Sequence, residues 1–255
     1  MRTIRLTIEY DGTNYSGWQE QANGISIQQT VEEAIERLTG SRYRLKSSGR
    51  TDAGVHARAM PAAFMTDSPL PLRAFIEGLN HFLPHDIAIL DAVEVPAGFR
   101  PIGDALCKHY RYTIINRSAR APLSRLHAWH VRERLDLDAM TQAAGFFVGT
   151  HDFGAFRASN CTAKTSLRRI DATTVSRTGE LVLIDVVGGG FLKNMVRVMA
   201  GTLVDVGRGR FTPGHVAWLL ENPDRKKAGV TAPACGLCLI SVTYPESSTF
   251  PPAAA

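Results

Sequence analysis

The order of the secondary-structure patterns is the feature of this sequence that most restricts its fold. In each half of the chain, apolar residues at strand or helix spacing predict the order strand, helix, strand, strand, helix, strand. In the first half the predicted segments are 3–10, 27–38, 43–48, 59–66, 71–82 and 87–95. In the second half they are 108–116, 136–147, 168–176, 181–187, 191–206 and 237–244, with a further short helix around Trp218.

A β-α-β-β-α-β order that occurs twice is typical of two split β-α-β units of the ferredoxin-like type. We therefore predict an α+β fold in which two ferredoxin-like halves share a largely antiparallel central sheet. The helices pack on this sheet, and the active-site cleft lies between the halves. The predicted domains are an N-terminal half at 1–105, which carries the candidate catalytic loop, and a C-terminal half at 106–246 with basic loop insertions. We expect a disordered tail at 247–255, which is rich in Pro and Ala.

Composition narrows the class of protein without identifying it. The net charge of +5 and the pI of about 9.2 favour an acidic partner such as RNA but do not require one. Because neither a membrane-length apolar run nor a signal region is found, we expect a cytoplasmic protein without membrane contact. Cys235 and Cys238 have metal-like spacing, but no second such pair exists. We therefore expect buried free thiols rather than a zinc or redox site.

The loop at 49–57 carries the most unusual combination of side chains. Gly49 and Gly54 flank Arg50 and Asp52, so the backbone can turn sharply and approach a ligand closely. These residues alone leave two interpretations open: Asp52 is a catalytic carboxylate, or it only forms a turn. The sequence has no Gly-x-Ser-x-Gly motif, phosphate-binding glycine loop or two-histidine metal motif that would supply a different chemistry.

Two further segments combine aromatic residues with polar or basic ones. In 10–19, the Asp-Gly pair predicts a turn, so Asp11 is interpreted as a turn residue rather than a second catalytic carboxylate. In the strand at 108–112, basic and aromatic residues alternate, which places Tyr110 and Tyr112 on one face. Tyr110 is either a core residue or a platform on which an unpaired base stacks.

Five segments resemble motifs of the tRNA pseudouridine synthase A family, and they occur in the order found in that family. The most specific is GRTDAGVHA at 49–57. The other four are YDGTNYSGWQ at 10–19, KHYRY at 108–112, HDFGAFR at 151–157 and FLKNMVR at 191–197. The similarity runs from residue 4 to about residue 244, nearly the whole chain.

The resemblance implies roles for five residues. Asp52 matches the catalytic aspartate of the family, and Arg50 matches the arginine associated with opening the RNA stem. Tyr110 matches the tyrosine that stacks on the target base. Arg197 matches the arginine that pairs with the catalytic carboxylate, and Leu237 falls where an apolar residue packs under the base. The implied reaction is isomerisation of uridine to pseudouridine at positions 38, 39 and 40 of the tRNA anticodon arm.

The resemblance also implies a homodimer with the RNA lying across both subunits, and a reaction that needs neither metal nor cofactor. Two segments depart from the family pattern. Cys238 replaces a tyrosine near the last strand, and Phe99-Arg100-Pro101-Ile102 stands where the family has Phe-His-Ala-Arg. We expect both departures to affect RNA docking rather than Asp52.

Two alternatives from other classes are weighed against this function. One is a non-catalytic RNA-binding protein that has kept the cleft, which the intact Asp52 argues against. The other is a metal-dependent hydrolase that uses Asp52 with His56 or with the pair His151 and Asp152. We favour a loop-stabilising role for His56 over a metal-binding role.

Overall fold

The computed structural model describes residues 1–22 and 24–245, so the tail predicted at 247–255 lies outside the described residues. The predicted fold class is confirmed, since helices accompany a large, mostly antiparallel sheet. The chain divides into two compact units. The first comprises Met1–Leu106 and the chain from Leu239 onward, and the second comprises Cys107–Cys238. In the described part of the chain, every helix is too short or too polar to cross a bilayer.

The first unit is built on a central antiparallel strand. Its elements are β1 (Arg2–Tyr10), α1 (Ile27–Thr39), β2 (Lys46–Ser47), β3 (His56–Thr66), α2 (Leu72–Phe82) and β4 (Ile87–Val95). Strand β1 pairs antiparallel with β3 on one side and with β4 on the other, and β2 pairs with β3. Along β1, Ile4, Leu6 and Ile8 are completely buried. The alternation predicted for this strand is therefore confirmed.

Local signals explain where helix α1 begins and ends. The hydroxyl of Ser26 accepts a hydrogen bond from the backbone N–H of Gln29 at 3.2 Å, which satisfies one of the unpaired donors of the first turn. Gly40 has φ 75° and ends the helix in the left-handed conformation that glycine adopts without strain. Between these caps, α1 buries the apolar residues that its helical spacing predicts, together with the polar Gln28 and Glu32.

The second unit contains the remaining elements. They are β5 (Cys107–Asn116), β6 (Trp129–Val131), α3 (Leu137–Gly145), β7 (Gly149–Asp152), β8 (Leu167–Thr178), β9 (Leu181–Gly188), α4 (Met195–Gly207), α5 (Gly214–Glu221) and β10 (Leu237–Thr243), which continues into the first unit from Leu239. Strands β5, β9, β8 and β7 lie side by side and are antiparallel. The short strand β6 pairs parallel with β5. Neither β6 nor β7 was predicted, because three or four residues are too few to show a period.

Helix α4 begins later than the sequence pattern indicates. The apolar spacing predicts a helix from residue 191, but the helix starts at Met195. Asn194 has φ 63°, and a residue in the left-handed region cannot continue a right-handed helix. The backbone N–H of Met195 instead closes a turn on the carbonyl of Leu192 at 3.0 Å. The segment 191–194 is therefore a connecting turn that leads into the buried helix.

Candidate active site

The loop that carries Asp52 is closed by its own backbone. The N–H of Val55 donates to the carbonyl of Asp52 at 3.1 Å, and Gly54 has φ 76°. That φ is accessible to glycine and strained for most other residues, so Gly54 fits the turn for a conformational reason. Thr51 and Val55 are buried, whereas Asp52 between them is partly exposed. The turn is therefore anchored by buried residues on both sides, while Asp52 stays partly exposed to solvent.

The segment 10–19 packs directly against this loop through backbone contacts. The N–H of Trp18 donates to the carbonyl of Thr51 at 3.0 Å. Gly17 has φ 100°, and a Cβ on it would lie 2.6 Å from the Thr51 carbonyl oxygen. A Cβ on Gly12 would lie 2.0 Å from the carbonyl oxygen of Val55. Both distances are shorter than any real carbon–oxygen contact, so only glycine allows the two segments to lie this close.

A buried side-chain hydrogen bond joins the first strand to the loop that carries Asp52. The hydroxyl of Tyr10, at the end of β1, lies 2.8 Å from Oγ1 of Thr51. Both residues are buried, and Thr51 immediately precedes Asp52. The ring of Tyr10 also lies 6.0 Å from that of Trp18. The sequence pattern did not reveal this contact, because the two residues are 41 positions apart.

Asp11 and His56 form the other side of this loop cluster. Asp11 accepts hydrogen bonds from the N–H and hydroxyl of Thr13, at 2.9 and 2.6 Å, so its predicted turn-forming role is confirmed. Nδ1 of His56 lies 3.0 Å from Asp11 Oδ1 and 3.1 Å from the N–H of Gly12. A protonated Nδ1 donates to Asp11, and an unprotonated one accepts from Gly12. Either state ties His56 to the turn at 11–13, which supports the loop-stabilising role.

Arg50 is exposed and lies on the same loop as Asp52, separated from it by the buried Thr51. The carbonyl of Gly49 accepts a hydrogen bond from the hydroxyl of Ser47 at 2.7 Å, which fixes the start of the loop at the end of β2. The Arg50 guanidinium is therefore carried on an anchored backbone while its side chain remains in solvent.

In the second unit, Tyr110 lies on β5 with its ring held edge-on by an aromatic neighbour. Its centroid is 5.0 Å from that of Phe191, at an interplanar angle of 78°. On the opposite face of β5, Arg111 donates from Nε to Asp185 at 2.9 Å, and His109 Nε2 lies 2.5 Å from the same carboxylate. The predicted alternation of aromatic and basic residues on β5 is therefore confirmed.

Arg197 lies in the first turn of α4, where two contacts fix its direction. Its Nε donates to the carbonyl of Ala232 at 2.8 Å, and Nη1 donates to Oδ1 of Asn194 at 3.2 Å. The backbone N–H of Ala232 in turn donates to the carbonyl of Arg197 at 3.1 Å. Because the guanidinium is planar, these contacts orient the whole group. Asn194, whose left-handed backbone ends the preceding turn, is a residue that the sequence pattern did not indicate.

Leu237 is buried at the start of β10, next to a tightly packed tyrosine. A Cβ on Gly236 would lie 2.6 Å from Cζ of Tyr112, whose hydroxyl donates to the carbonyl of Pro233 at 2.7 Å. Burial raises the pKa of the Tyr112 phenol, so that this side chain stays neutral. All four cysteines are free thiols, as expected, but Cys235 and Cys238 are partly rather than fully buried.

The comparisons with known proteins agree on one family. The sequence profile described as tRNA pseudouridine synthase matches residues 6–101 and 143–245. A tRNA pseudouridine synthase A from Pelobacter propionicus is 70% identical over 244 residues, which are 96% of this chain and 100% of that protein. Proteins of the same name from Geotalea uraniireducens and Myxococcus xanthus are 59% and 48% identical, covering 96% and 99% of this chain and 100% and 95% of theirs. The chain belongs to the tRNA pseudouridine synthase family.

A more distant likeness is to a solved structure of an H/ACA ribonucleoprotein bound to a substrate RNA containing 2'-deoxyuridine. It has 12% sequence identity and a TM-score of 0.39, and it covers 95% of this chain and 48% of the other. A TM-score this low does not establish a shared fold.

In this member of the tRNA pseudouridine synthase family, the departure at 99–102 has a structural role in the first unit. The rings of Phe99 and Tyr244 lie 5.0 Å apart, and the Arg5 guanidinium lies 5.9 and 5.5 Å from their centroids. The Tyr244 hydroxyl donates to the carbonyl of Pro101 at 2.7 Å. Burial raises the pKa of Tyr244 to about 12, while the nearby Arg5 charge opposes that rise. The segment therefore anchors Tyr244, which directly follows the last strand.

Proposed function

We propose that this chain converts the uridines at positions 38, 39 and 40 of the tRNA anticodon arm into pseudouridine, with the carboxylate of Asp52 as the catalytic group. The reaction class follows from the family, whose members are isomerases acting on tRNA. One observation carries the assignment of Asp52. It is the partly exposed acidic residue on a glycine-flanked turn that the segment 10–19 holds through close backbone contacts.

The chemistry requires one ionised carboxylate and no group carrier. The reaction breaks the bond between N1 and C1′ of uridine, turns the base, and joins C5 to C1′. No atom enters or leaves overall, so the proposal includes neither cofactor nor metal. The Asp52 carboxylate attacks the base, attacks C1′, or removes a ribose proton, and each route begins with the charged form.

Arg197 is proposed as the cation that pairs with the Asp52 carboxylate. An opposite charge within about 4–6 Å favours the ionised form of an acid against the desolvation that disfavours it. The contacts of Arg197 with Ala232 and Asn194 support this role, because they orient the guanidinium in advance. We assign the pairing to positioning and charge rather than to net stability, since buried ion pairs gain little overall.

Tyr110, Leu237 and Arg50 are proposed to hold the target nucleotide outside the RNA stem. Flipping a nucleotide out of a helix costs a few kcal/mol, and stacking on an aromatic ring returns about 1–3 kcal/mol. Stacking on Tyr110 therefore offsets much of the cost, while Leu237 packs beneath the base. Arg50 is proposed to fill the vacated space. Phosphate contacts from the basic loops at 117–129 and 156–169 are proposed to supply the remainder, so that affinity falls with rising salt.

The test of Asp52 is pseudouridine mapping in an unmodified tRNA transcript. Wild-type protein is expected to modify positions 38–40, whereas Asp52→Asn, which keeps the shape and removes the charge, is expected to lose turnover and retain most of its RNA affinity. The control is Asp11→Asn, which alters a carboxylate that forms the neighbouring turn. Full single-turnover activity in Asp52→Asn would contradict the assignment.

The same assay separates the two alternatives. A non-catalytic RNA-binding protein gives no pseudouridine with the wild-type chain. A metal-dependent hydrolase loses its activity in a chelator, whereas the proposed reaction continues. We also propose that the protein is a cytoplasmic homodimer with tRNA lying across both subunits. Sedimentation equilibrium of the protein with and without tRNA tests the dimer.

A further inference from the structure

Three aromatic rings form a ladder on the second unit, and none of them takes part in the proposed reaction. Phe211 precedes α5, and His215 and Trp218 lie on it. The centroids of Phe211 and His215 are 4.3 Å apart at an interplanar angle of 29°. Those of His215 and Trp218 are 5.6 Å apart at 14°. The rings of His215 and Trp218 are thus nearly parallel, the ring of Phe211 is inclined to that of His215, and Trp218 is the terminal member.

The ladder borders an open pocket of about 570 Å³, lined by Thr212, Gly214, His215, Trp218 and Lys227. This volume is in the range of sites that bind small molecules, roughly 300–1,000 Å³. Trp218 is 43% exposed, so part of its indole ring is accessible to a ligand from solvent. The pocket therefore combines an aromatic surface with the positive charge of one lysine.

The lysine is tied to the ladder by hydrogen bonds. Nε2 of His215 lies 3.0 Å from the carbonyl of Lys227, and because a carbonyl only accepts, this nitrogen carries the proton. The N–H of Lys227 donates to the carbonyl of Asp224 at 3.1 Å. The Asp224 carboxylate accepts from the N–H of Lys226 at 2.8 Å. The turn at 224–227 is thus fixed beside the rings, which keeps Lys227 at the edge of the pocket.

We propose that this pocket binds an unpaired nucleotide of the tRNA substrate, with the base stacked on Trp218 and the phosphate beside the ammonium of Lys227. The proposal rests on the proposed function, which supplies RNA as the substrate. Aromatic platforms flanked by basic residues bind single-stranded nucleic acid, because every base has a π-face and every nucleotide a phosphate. The basic net charge of the chain favours such a partner.

The test compares equilibrium binding of an unmodified tRNA transcript to four variants made in the Asp52→Ala background, where the transcript is not converted. Trp218→Ala removes the terminal ring and is expected to raise Kd about tenfold. Trp218→Phe keeps a π-face and is expected to stay close to the parent protein. Lys227→Ala is expected to raise Kd and to reduce the steepness of the salt dependence by about one phosphate contact. Lys226→Ala, on the same turn, is the charge-matched control.

A further variant fills the pocket while keeping all three rings. Gly214 lines the pocket, and a Cβ on it meets no atom of a more distant residue within 4 Å, so Gly214→Gln adds bulk there without a clash at the Cβ. It is expected to raise Kd as Trp218→Ala does, with no loss of thermal stability. In the Asp52-intact protein, both changes are expected to raise KM for tRNA and leave kcat unchanged.

An unchanged Kd for both Trp218→Ala and Gly214→Gln would overturn the proposal. If these variants also altered the oligomeric state, the pocket would be assigned to a protein interface instead. Absence of pseudouridine formation by the wild-type protein contradicts the proposed function instead, and the binding comparison separates the two failures.

Discussion

Replacing Tyr10 with phenylalanine tests whether the buried hydrogen bond to Thr51 positions Asp52. The change removes one hydroxyl and leaves Oγ1 of Thr51 without its 2.8 Å partner in a buried site. An unsatisfied buried polar group costs about 1–3 kcal/mol. At about 2–4 °C per kcal/mol for a chain of this size, Tyr10→Phe is expected to lower Tm by several degrees.

The effect on catalysis follows from the position of Thr51. The carbonyl of Thr51 accepts a hydrogen bond from the N–H of Trp18, and its hydroxyl shares a hydrogen bond with that of Tyr10. These two contacts hold the backbone immediately before Asp52. Loss of one allows the loop to shift, and a displacement of about 1 Å reduces the rate by up to 10²-fold. We expect kcat to fall about tenfold or more with little change in KM, because the RNA-binding groups stay in place.

A second substitution separates stability from positioning. Thr51→Val in the Tyr10→Phe background replaces both hydrogen-bonding groups with apolar ones of similar shape, which is nearly neutral for stability. The double variant is therefore expected to recover Tm but not kcat. Tyr15→Phe is the matched control. It removes a hydroxyl that donates to Asp86 at 2.5 Å in the same loop region and is expected to lower Tm without lowering kcat.

Thermal unfolding measures Tm, and single-turnover pseudouridine formation measures the rate of the catalytic step. A Tyr10→Phe variant with a lower Tm but a kcat within about twofold of wild type would contradict a positioning role for the hydrogen bond. A double variant that recovers both Tm and kcat would also contradict it, because the hydrogen bond would then contribute only stability.

Three further changes test other parts of the site. Gly17→Ala is expected to destabilise the protein by more than about 2 kcal/mol and to abolish activity, because its Cβ would lie 2.6 Å from the Thr51 carbonyl oxygen. The control in thermal unfolding is Gly40→Ala, where φ is also positive, at 75°, but the space around the Cβ is open; it is expected to cost about 1 kcal/mol. Arg197→Lys keeps the charge and loses the Nε contact with Ala232, so single-turnover rates should fall while Kd for tRNA holds. Burial raises the pKa of Tyr244 to about 12, so the neutral phenol contributes its full stabilisation of the fold below about pH 10 and loses it as the pH rises from 10 towards 12. Tyr244→Phe is therefore expected to reduce the fall in Tm over this alkaline range.

The parts of the fold that follow local rules were predictable from the sequence. Helix α1 was predicted from Ser26 and Gly40, and both form its caps. The alternation on β5 placed Tyr110 correctly relative to Arg111. In these cases a short stretch of sequence contains both the signal and the groups that satisfy it, so tertiary contacts do not change the result.

The features that escaped prediction depend on distant partners. The start of α4 moved because Asn194 adopts a positive φ and its side chain accepts from Arg197 in the completed structure. The parallel pairing of β6 with β5 joins Trp129 to Ile114 and involves too few residues to leave a pattern. The aromatic ladder requires both the turn at Phe211 and the orientation of α5, neither of which the spacing of apolar residues reveals.

The length of the two motifs in the first unit follows from their contacts with each other. The proposed reaction needs only the carboxylate of Asp52, yet the motif around this residue has nine residues and the segment that packs against it, 10–19, has ten. The reason is that backbone atoms of one segment fill the space that a Cβ on the other would occupy, as at Gly12 and Gly17. A carboxylate on a loop is held as rigidly as one on a helix or strand only when the residues of both contacting segments allow the close packing. The glycines of 10–19 are therefore as necessary to the proposed chemistry as the loop that bears the acid.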